Sequence, residues 1–129
     1  MAENFKSKKG YNFGDSTAKI ISACLEVHKN LGPGFDEIFY QRALAKELLG
    51  LNLEFSREVW IDVHYKGSKL GRKRIDFVIN NVMLEVKAKS DFDPEDFVQT
   101  LSYLKASGYK TGLLVNFGAK KLEVKRLVN

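Results

Sequence analysis

The stretch that decides the fold is "RIDFVINNVMLEVKA", residues 74–88. Two short apolar runs flank Asn80 and Asn81, a pattern typical of two β-strands joined by a tight turn. Three charged residues, Asp76, Glu85 and Lys87, stand inside these apolar runs. Because acids in such positions contribute little to a sheet, these three residues are the first candidates for a functional role.

A two-residue turn determines which residues of the hairpin face one another. Asn tolerates the positive φ that such a turn requires, so Asn80 and Asn81 are expected at its centre. This register places Asp76 directly opposite Glu85, with Lys87 on the same face, and a shift of one residue would remove the pairing. The opposite face is predicted to be the core face, and it carries Ile75, Phe77, Ile79, Leu84 and Val86.

Two carboxylates opposed across a hairpin repel each other. Their Cβ atoms would lie roughly 4.5–5.5 Å apart, and like charges at that distance destabilise a sheet. Either a proton shared between Asp76 and Glu85 or a hard divalent cation would compensate. Lys87 supplies one positive charge and Arg74 stands nearby. The alternative is a solvated sheet face with interleaved charges.

The rest of the chain predicts an α/β fold. The predicted helices cover residues 15–31, 36–49 and 93–107, and the further strands cover 58–65, 111–117 and 122–128. Residues 66–73, "KGSKLGRK", are predicted as a turn leading into the hairpin. The order ααβββαββ predicts a mixed central β-sheet flanked by helices. We expect residues 1–13 to be a flexible N-terminal arm and 14–129 to be a single domain.

Composition limits the classes of function. The chain has 129 residues, a formal net charge of +5 and a single cysteine, Cys24. One cysteine excludes a disulfide framework and a cysteine-rich metal site, and it favours a reducing cytoplasm. No apolar run approaches the ~18 residues of a membrane span, and the polar N-terminal segment predicts no signal peptide. The basic charge permits nucleic acid as a partner.

Glu37 is a third candidate acid. It stands at the start of the second predicted helix, and the helical period points it in the same direction as Leu44 and Leu48, towards the sheet. The alternative is an acid that merely favours the positive end of the helix dipole. Its neighbour Asp36 fits the N-cap and is not counted as a site residue.

Gln99 and Tyr103 share a face of the third predicted helix, because they are four residues apart. Phe97, Leu101 and Leu104 form a separate stripe, which is expected to pack on the sheet. Taken singly, Gln99 reads equally well as a polar surface residue and Tyr103 as an aromatic residue at the edge of the core.

In this order, the helical Glu37, then Asp76, then Glu85-Val86-Lys87, then Gln99 resemble the PD-(D/E)XK nuclease superfamily. The sequence is similar in particular to the GxxExxY group, whose motif matches "GFDEIFY" at residues 34–40. The segments "YKGSKLGRKRIDFVI", "LEVKA", "QTLSYLKASGYKTGLLVNFG" and "KRLV" extend the resemblance over residues 14–128. One departure is that Ile75, rather than proline, precedes Asp76.

The resemblance implies a restriction-endonuclease-like core that hydrolyses phosphodiester bonds with Mg²⁺ or Mn²⁺. Asp76, Glu85 and the Val86 carbonyl would hold the metal, and Glu37 would bind the metal or hold a water molecule. Lys87 would orient the attacking water and stabilise negative charge. The remaining roles fall to Gln99, which would position water or phosphate, and to Tyr40 and Tyr103, which would support the site.

A run of basic residues precedes the site in sequence. Lys66, Lys69, Arg72, Lys73 and Arg74 would follow a nucleic-acid backbone, although a solvated turn has the same composition. We therefore expect nucleic acid as the partner, DNA rather than RNA, and no membrane. Three alternatives remain open: a module that binds nucleic acid or protein without cutting, a subunit of a defence or repair assembly, and a homodimer.

Overall fold

A computed structural model of the protein describes residues 2–4 and 15–129. The helices in these ranges are α1 (Asp15–Leu31), α2 (Glu37–Gly50) and α3 (Pro94–Ser107). The strands are β1 (Ala2–Asn4), β2 (Phe55–Tyr65), β3 (Ser68–Ile79), β4 (Val82–Lys87), β5 (Thr111–Asn116) and β6 (Glu123–Val128). Within the described ranges, no helix combines the length and the apolar character that a membrane crossing needs.

The strands form one mixed sheet in the order β1-β6-β5-β4-β3-β2. The β4–β5 pair is parallel and the other pairs are antiparallel. Helix α3 connects the parallel pair, as such a crossover requires. The predicted α/β class and mixed sheet are confirmed. The added strand β1 pairs with β6 and falls in the predicted arm of residues 1–13, most of which lies outside the described residues.

The sheet is covered on both faces. The larger cluster, here called the α1/α2 core, joins Ile20, Cys24 and Leu44 of the first two helices to inner residues of the sheet. The smaller cluster, the α3 core, lies on the other face and includes Met83 and Leu104. Because β4 lies inside the sheet and is covered on both faces, four of its six residues are apolar, and the exceptions are Glu85 and Lys87.

Two tight turns set the strand register. Asn80 and Asn81 have φ of 48° and 67°, as a two-residue hairpin turn requires. The pairs Phe77↔Leu84, Val78↔Met83 and Ile79↔Val82 have the predicted register, which is therefore confirmed.

The second turn, at Lys66 and Gly67 with φ of 48° and 80°, is shorter than predicted. Strand β3 begins at Ser68, so a turn is confirmed at residues 66–67, whereas residues 68–73 belong to the strand and their assignment to the turn segment was wrong. Pairing with β2 holds those residues extended in spite of their Gly and Lys content, with an irregularity beside Val63 and His64.

Ile75 does not pack where the alternation predicted. Phe77 belongs to the α1/α2 core, but Ile75 belongs to the α3 core. Strand β2 changes face at the same level, since Phe55 packs against the first cluster and Val59 against the second. Between them, Glu58 has a φ of 54°, and one left-handed residue in a strand interrupts the two-residue alternation. The interruption lies beside Asp76, at the edge of the candidate site.

Candidate active site

The β3–β4 backbone ladder ends just before the two predicted acids. Phe77↔Leu84 is its last pair. Beyond it, the Asp76 N–H donates to Glu85 Oε2 at 2.8 Å, and the Val86 N–H donates to Asp76 Oδ2 at 2.8 Å. Each acid thus replaces one rung of the ladder with its side chain. The two carboxylates are held in fixed positions where the strands stop exchanging backbone hydrogen bonds.

These two hydrogen bonds lower the energetic cost that was predicted for the opposed carboxylates of Asp76 and Glu85. The register places Asp76 and Glu85 at one level, as predicted, but each carboxylate accepts a backbone N–H from the partner strand. A hydrogen bond to an anionic oxygen offsets part of the cost of two like charges. The backbone therefore supplies some of the compensation that we expected from a proton or a cation.

Burial governs the acid–base behaviour of the pair. Glu85 is 6% exposed. Burial and, to a smaller extent, the neighbouring Asp76 raise the pKa of Glu85 to about 8, against the lowering effect of the Asp76 N–H and of Lys87. Burial also raises the pKa of Asp76, although the Val86 N–H and the Lys87 and Arg74 cations oppose the rise. Without a bound cation, the site therefore favours a proton on this pair at neutral pH.

Lys87 lies one step along β4 and faces α3. Its Nζ donates to Gln99 Oε1 at 3.2 Å and lies 3.8 Å from Asp96 Oδ1. Because the side chain is only 19% exposed, the ammonium is confined between these groups and the carboxylate pair. The structure thus brings Gln99 to the predicted site, in direct contact with Lys87.

Asp96 belongs to this arrangement, and sequence reasoning missed it. Its side chain is almost fully buried and accepts hydrogen bonds from Lys89 Nζ at 3.1 Å and from the Asp93 N–H at 2.7 Å. One residue thus caps α3 and holds two cations, Lys87 and Lys89. The available signal was an acid three residues after the N-cap Asp93, the spacing of a capping box.

Glu37 stands at the rim of the site. It is the first residue of α2 and is exposed, so it follows the predicted direction without reaching the sheet. Partial burial raises the pKa of Glu37, Asp76 raises it further, and Lys87 lowers it, which puts Glu37 in electrostatic range of both. Among residues 15–129, however, no three His, Cys, Asp or Glu side chains are close enough to hold one metal ion. The three predicted acids therefore do not form one ligand cluster.

Comparison with known proteins identifies the family. A family model described as the PD-(D/E)XK nuclease superfamily matches residues 14–127. The chain belongs to this superfamily. No curated protein matches it. Among solved structures, the crystal structure of SSO0001 is similar at 15% identity and a TM-score of 0.46, over 92% of this chain and 80% of that one.

The predicted site residues Asp76 and Glu85 lie within β3 and β4. Members of the superfamily generally use divalent metal ions. Asp76 Oδ1 and Glu85 Oε1 receive no hydrogen bond from the described part of the chain, since the bonds to the pair go to Oδ2 and Oε2. Two carboxylates suit Mg²⁺, which is commonly held by one or two carboxylates and several waters. The donor set therefore fits a divalent ion.

The Val86 carbonyl is a further oxygen on the same side. The Lys87 carbonyl accepts a hydrogen bond from the Phe117 N–H of the β5 side at 2.8 Å. Backbone groups of successive residues in a strand point to opposite neighbours, so the N–H and carbonyl of Val86 point away from β5. The bond from the Val86 N–H to Asp76 agrees with this direction. The predicted carbonyl ligand thus lies on the side of the carboxylates.

Tyr40, predicted to support the site, holds the loop before α2. Its hydroxyl donates to the Gly32 carbonyl at 2.6 Å and accepts the Phe35 N–H at 3.1 Å, and its ring stacks on Phe117 at 4.9 Å. It is fully buried. The contacts of Tyr40 thus fix the loop that leads to Glu37, and its supporting role in the site stays a prediction.

Tyr103, unlike Tyr40, lies within electrostatic range of Glu85 and Asp76. It is half-buried on α3, and burial raises the pKa of its hydroxyl, with Glu85 and Asp76 raising it further. The two carboxylates thus act on the Tyr103 hydroxyl. The supporting role that the resemblance implies for Tyr103 stays a prediction.

Asn116 and Gly118 form a clamp behind Lys87 that sequence reasoning also missed. The fully buried Asn116 accepts the Lys89 N–H at 2.9 Å and donates to the Lys89 carbonyl at 2.8 Å. A Cβ on Gly118 would collide with the Lys89 backbone. The segment that leaves β4 after Lys87 is therefore fixed by one amide and one glycine. A buried Asn within the apolar run "GLLVNFG" was the available signal.

The predicted nucleic-acid-binding residues lie on a separate part of the chain. Lys69 pairs with Asp62 at 3.2 Å, Arg74 lies 3.9 Å from Glu58, and Lys73 is exposed. With Arg72, these cations occupy the distal end of the β2–β3 hairpin, residues 62–74, here called the ribbon. They adjoin the active-site candidates without forming part of them.

Proposed function

We propose that this chain is a divalent-metal-dependent nuclease of the GxxExxY group, acting on phosphodiester bonds of nucleic acid in the cytoplasm. The observation that carries the proposal is the pair Asp76 and Glu85, fixed by backbone hydrogen bonds at the end of the β3–β4 ladder. Lys87 stands one step along the same strand. This arrangement does not stabilise the sheet, because it buries two like charges.

In this proposal, Asp76, Glu85 and the Val86 carbonyl hold Mg²⁺ or Mn²⁺. A divalent ion held by these residues would supply Lewis-acid chemistry at the scissile phosphate and the attacking water. Lys87 brings a positive charge to the negative charge that grows on the phosphate oxygens, and it is pre-positioned for this by Gln99 and Asp96. Pre-positioning matters because the ammonium need not reorganise during the reaction.

Glu37 and Gln99 act from the rim of the site. Glu37 is exposed and its pKa is raised, which suits a group that holds a water molecule and accepts its proton. Gln99 orients Lys87 through its Oε1, and its amide N–H₂ group is available to phosphate or water. Tyr103 lies within electrostatic range of the carboxylates, and Tyr40 fixes the loop that presents Glu37.

A cleavage panel tests the proposal. Purified protein is incubated with Mg²⁺ or Mn²⁺ and with single- and double-stranded DNA and RNA. We expect metal-dependent cleavage of at least one substrate, and its loss in Lys87→Ala with the circular dichroism spectrum unchanged. Lys105→Ala, which removes an exposed lysine from α3, is the matched control and should cut normally. No cleavage of any substrate, or equal cleavage by Lys87→Ala, would contradict the proposal.

A binding module that does not cut is the second candidate. It is favoured by one observation, namely that Glu37 does not join the two strand carboxylates in a ligand cluster. Calorimetric titration with Mn²⁺ separates the candidates, because a module that only binds nucleic acid needs no divalent site. Saturable Mn²⁺ binding that disappears in Asp76→Asn supports the nuclease, whereas nucleic-acid binding without Mn²⁺ binding supports the module.

A further inference from the structure

We propose that the ribbon, residues 62–74, enters the major groove of duplex DNA and holds it against the carboxylate pair. The inference rests on the proposed function, since it names the substrate of that site. It is carried by the shape, the charge and the position of the ribbon, each of which is independent of the metal site.

The ribbon extends beyond the core. Ile61 and Ile75 are the last buried residues of its two strands, and every residue from 62 to 74 is exposed except the half-buried Val63. Tyr65 pairs with Ser68 at the tip, four residues beyond Ile61. At ~3.3 Å per residue, the ribbon projects roughly 13 Å. The major groove is about 12 Å wide and 8.5 Å deep and admits a two-stranded ribbon.

Positive charge is concentrated on this element. The ribbon contains five lysines and arginines and one acid, Asp62, which gives a net charge of +4 out of +5 for the whole chain. The Lys69–Asp62 ion pair is about half exposed at both ends. Exposed pairs contribute little to stability, so Lys69 can exchange Asp62 for a phosphate at small cost.

Arg72 is positioned without being neutralised. Its guanidinium lies 4.2 Å from the centre of the Trp60 ring, and among the described residues it forms no ion pair with a carboxylate. Trp60 is a large aromatic residue that lies outside the core, and it is 50% exposed. A cation held over an aromatic ring keeps its charge and loses side-chain freedom in advance. Trp60 therefore serves to present Arg72.

The tip also carries apolar side chains that the fold does not bury. Leu70 is 67% exposed, and it is the extra residue where the register shifts between Gly71 and Lys69. A bulge of this kind changes the direction of a side chain. Apolar side chains in a major groove contact the methyl groups of thymine. Leu70 and Tyr65 at the tip are exposed to water in the free protein, and contact with the floor of the major groove would bury them.

The ribbon continues directly into the site. Arg72, Arg74 and Asp76 are alternate residues of β3, spaced roughly 7 Å apart. Arg74 is thus the cation of the ribbon that lies nearest to Asp76 along the strand. A duplex gripped by the ribbon thus has its phosphates beside the carboxylate pair. RNA duplexes are a poorer fit, because their major groove is deep and too narrow for side chains to enter.

Binding measurements test the inference apart from catalysis. Lys87→Ala protein is titrated in EDTA with a fluorescent DNA duplex, the matching RNA duplex and the single DNA strand. We expect the DNA duplex to bind at least about tenfold more tightly than either competitor. Adding Arg72→Ala and Lys73→Ala should weaken duplex binding about tenfold or more and reduce the salt slope by about 0.9 for each lost phosphate contact.

The control removes the same charge elsewhere. Lys29→Ala with Lys46→Ala takes two exposed lysines from α1 and α2, and duplex binding should change less than about threefold. Trp60→Ala should weaken binding with no change in charge, and Trp60→Phe should restore most of it, because phenylalanine also holds a guanidinium. Methyl green, a major-groove ligand, should compete with the protein, whereas netropsin, a minor-groove ligand, should not.

Several outcomes would overturn the ribbon proposal while leaving the nuclease intact. They are equal binding of RNA and DNA duplexes, tighter binding of the single strand, competition by netropsin alone, and equal losses in the ribbon and control variants. A ribbon variant that changes the oligomeric state but not DNA affinity would assign the ribbon to protein contact instead. Failure of the nuclease proposal looks different, since duplex binding through the ribbon would then occur without cleavage by the unsubstituted protein.

Discussion

The carboxylate pair and the ribbon place like charges in opposite surroundings. At the pair, two acids are buried side by side, and burial raises the pKa of both. On the ribbon, five cations stand in water with a single acid among them. Buried like charges cost much more than solvated ones, because water screens the second set and not the first.

The difference separates two tasks on two hairpins that share β3, because the ribbon belongs to the β2–β3 hairpin and the pair to the β3–β4 hairpin. The pair is held by fixed hydrogen bonds and is suited to chemistry, where position and protonation matter. The ribbon is held by strand pairing with a few exposed side-chain contacts and is suited to affinity, where the number of cations and the salt concentration matter. We therefore expect substitutions in the two regions to alter different kinetic quantities.

The largest effect is expected for the pair. Asp76→Asn should lower kcat about a thousandfold, since it removes a charged oxygen ligand while preserving the acceptor for the Val86 N–H. Arg72→Ala on the ribbon should instead raise KM and leave kcat within about threefold. Steady-state cleavage of a duplex by both variants checks the contrast. A fall in kcat for Arg72→Ala as large as that for Asp76→Asn would show that the ribbon and the pair do not have separate roles.

Gly118 and Gly71 allow the effect of an added Cβ on stability to be compared behind the site and on the ribbon. In Gly118→Ala the added Cβ collides with the Lys89 backbone behind the site, so the free energy of unfolding should fall by about 1–3 kcal/mol or more. In Gly71→Ala, on the ribbon, the Cβ meets nothing within 4 Å. Its unfolding free energy should change by less than about 0.5 kcal/mol. Urea denaturation of both variants measures the difference. Equal losses in the free energy of unfolding would show that the backbone around Gly118 is packed no more tightly than the ribbon.

The pH dependence of stability is expected to come from the pair. The pKa of Glu85 rises from its ordinary value of 4.5 to about 8, so between these values the folded protein binds more protons than the unfolded chain. Without metal, the free energy of unfolding should therefore fall as pH rises through this window. Glu85→Gln should flatten that fall, with a gain on the order of 1 kcal/mol at pH 8.

Denaturation in EDTA at pH 5 and pH 8 provides the measurement for Glu85→Gln. Glu95→Gln, which removes an exposed acid from the start of α3, is the control and should keep the wild-type slope. Asp76 and Glu37 also have raised pKa values, so a smaller slope should remain in Glu85→Gln. A wild-type protein that gains stability with rising pH over this range would contradict the burial of the pair.

Much of the fold was predictable because its signals are local. Asn80 and Asn81 indicated a two-residue turn, and that turn alone sets the register that brings Asp76 and Glu85 to one level. Asp93, Pro94 and Gly108 marked the ends of α3, and Gly108 has the left-handed φ of 80° expected at a helix end. Such signals depend on backbone geometry a few residues long, so tertiary contacts seldom override them.

The environment of the site was not predictable in the same way. Asp96 reads from the sequence as a helix cap, and only the packing of α3 on the sheet brings it to Lys87 and Lys89. Ile75 changes core because of a left-handed residue on the neighbouring strand, which no pattern within β3 reveals. Likewise, the extent of β3 depended on its pairing with β2 rather than on the Gly and Lys content of residues 66–73.

The sequence by itself determined the order of elements from α1 to β6 and the register of the β3–β4 hairpin, because periodicity and turn chemistry act over short distances. The roles of Asp76, Glu85, Lys87 and Gln99 rest on the family resemblance and stay predictions. Tertiary structure alone decided that the carboxylates would accept backbone N–H groups, that Glu37 would stay at the rim, and that the cations would stand on a projecting ribbon. These outcomes depend on burial and on the distances between elements, which arise only when the sheet and helices pack together.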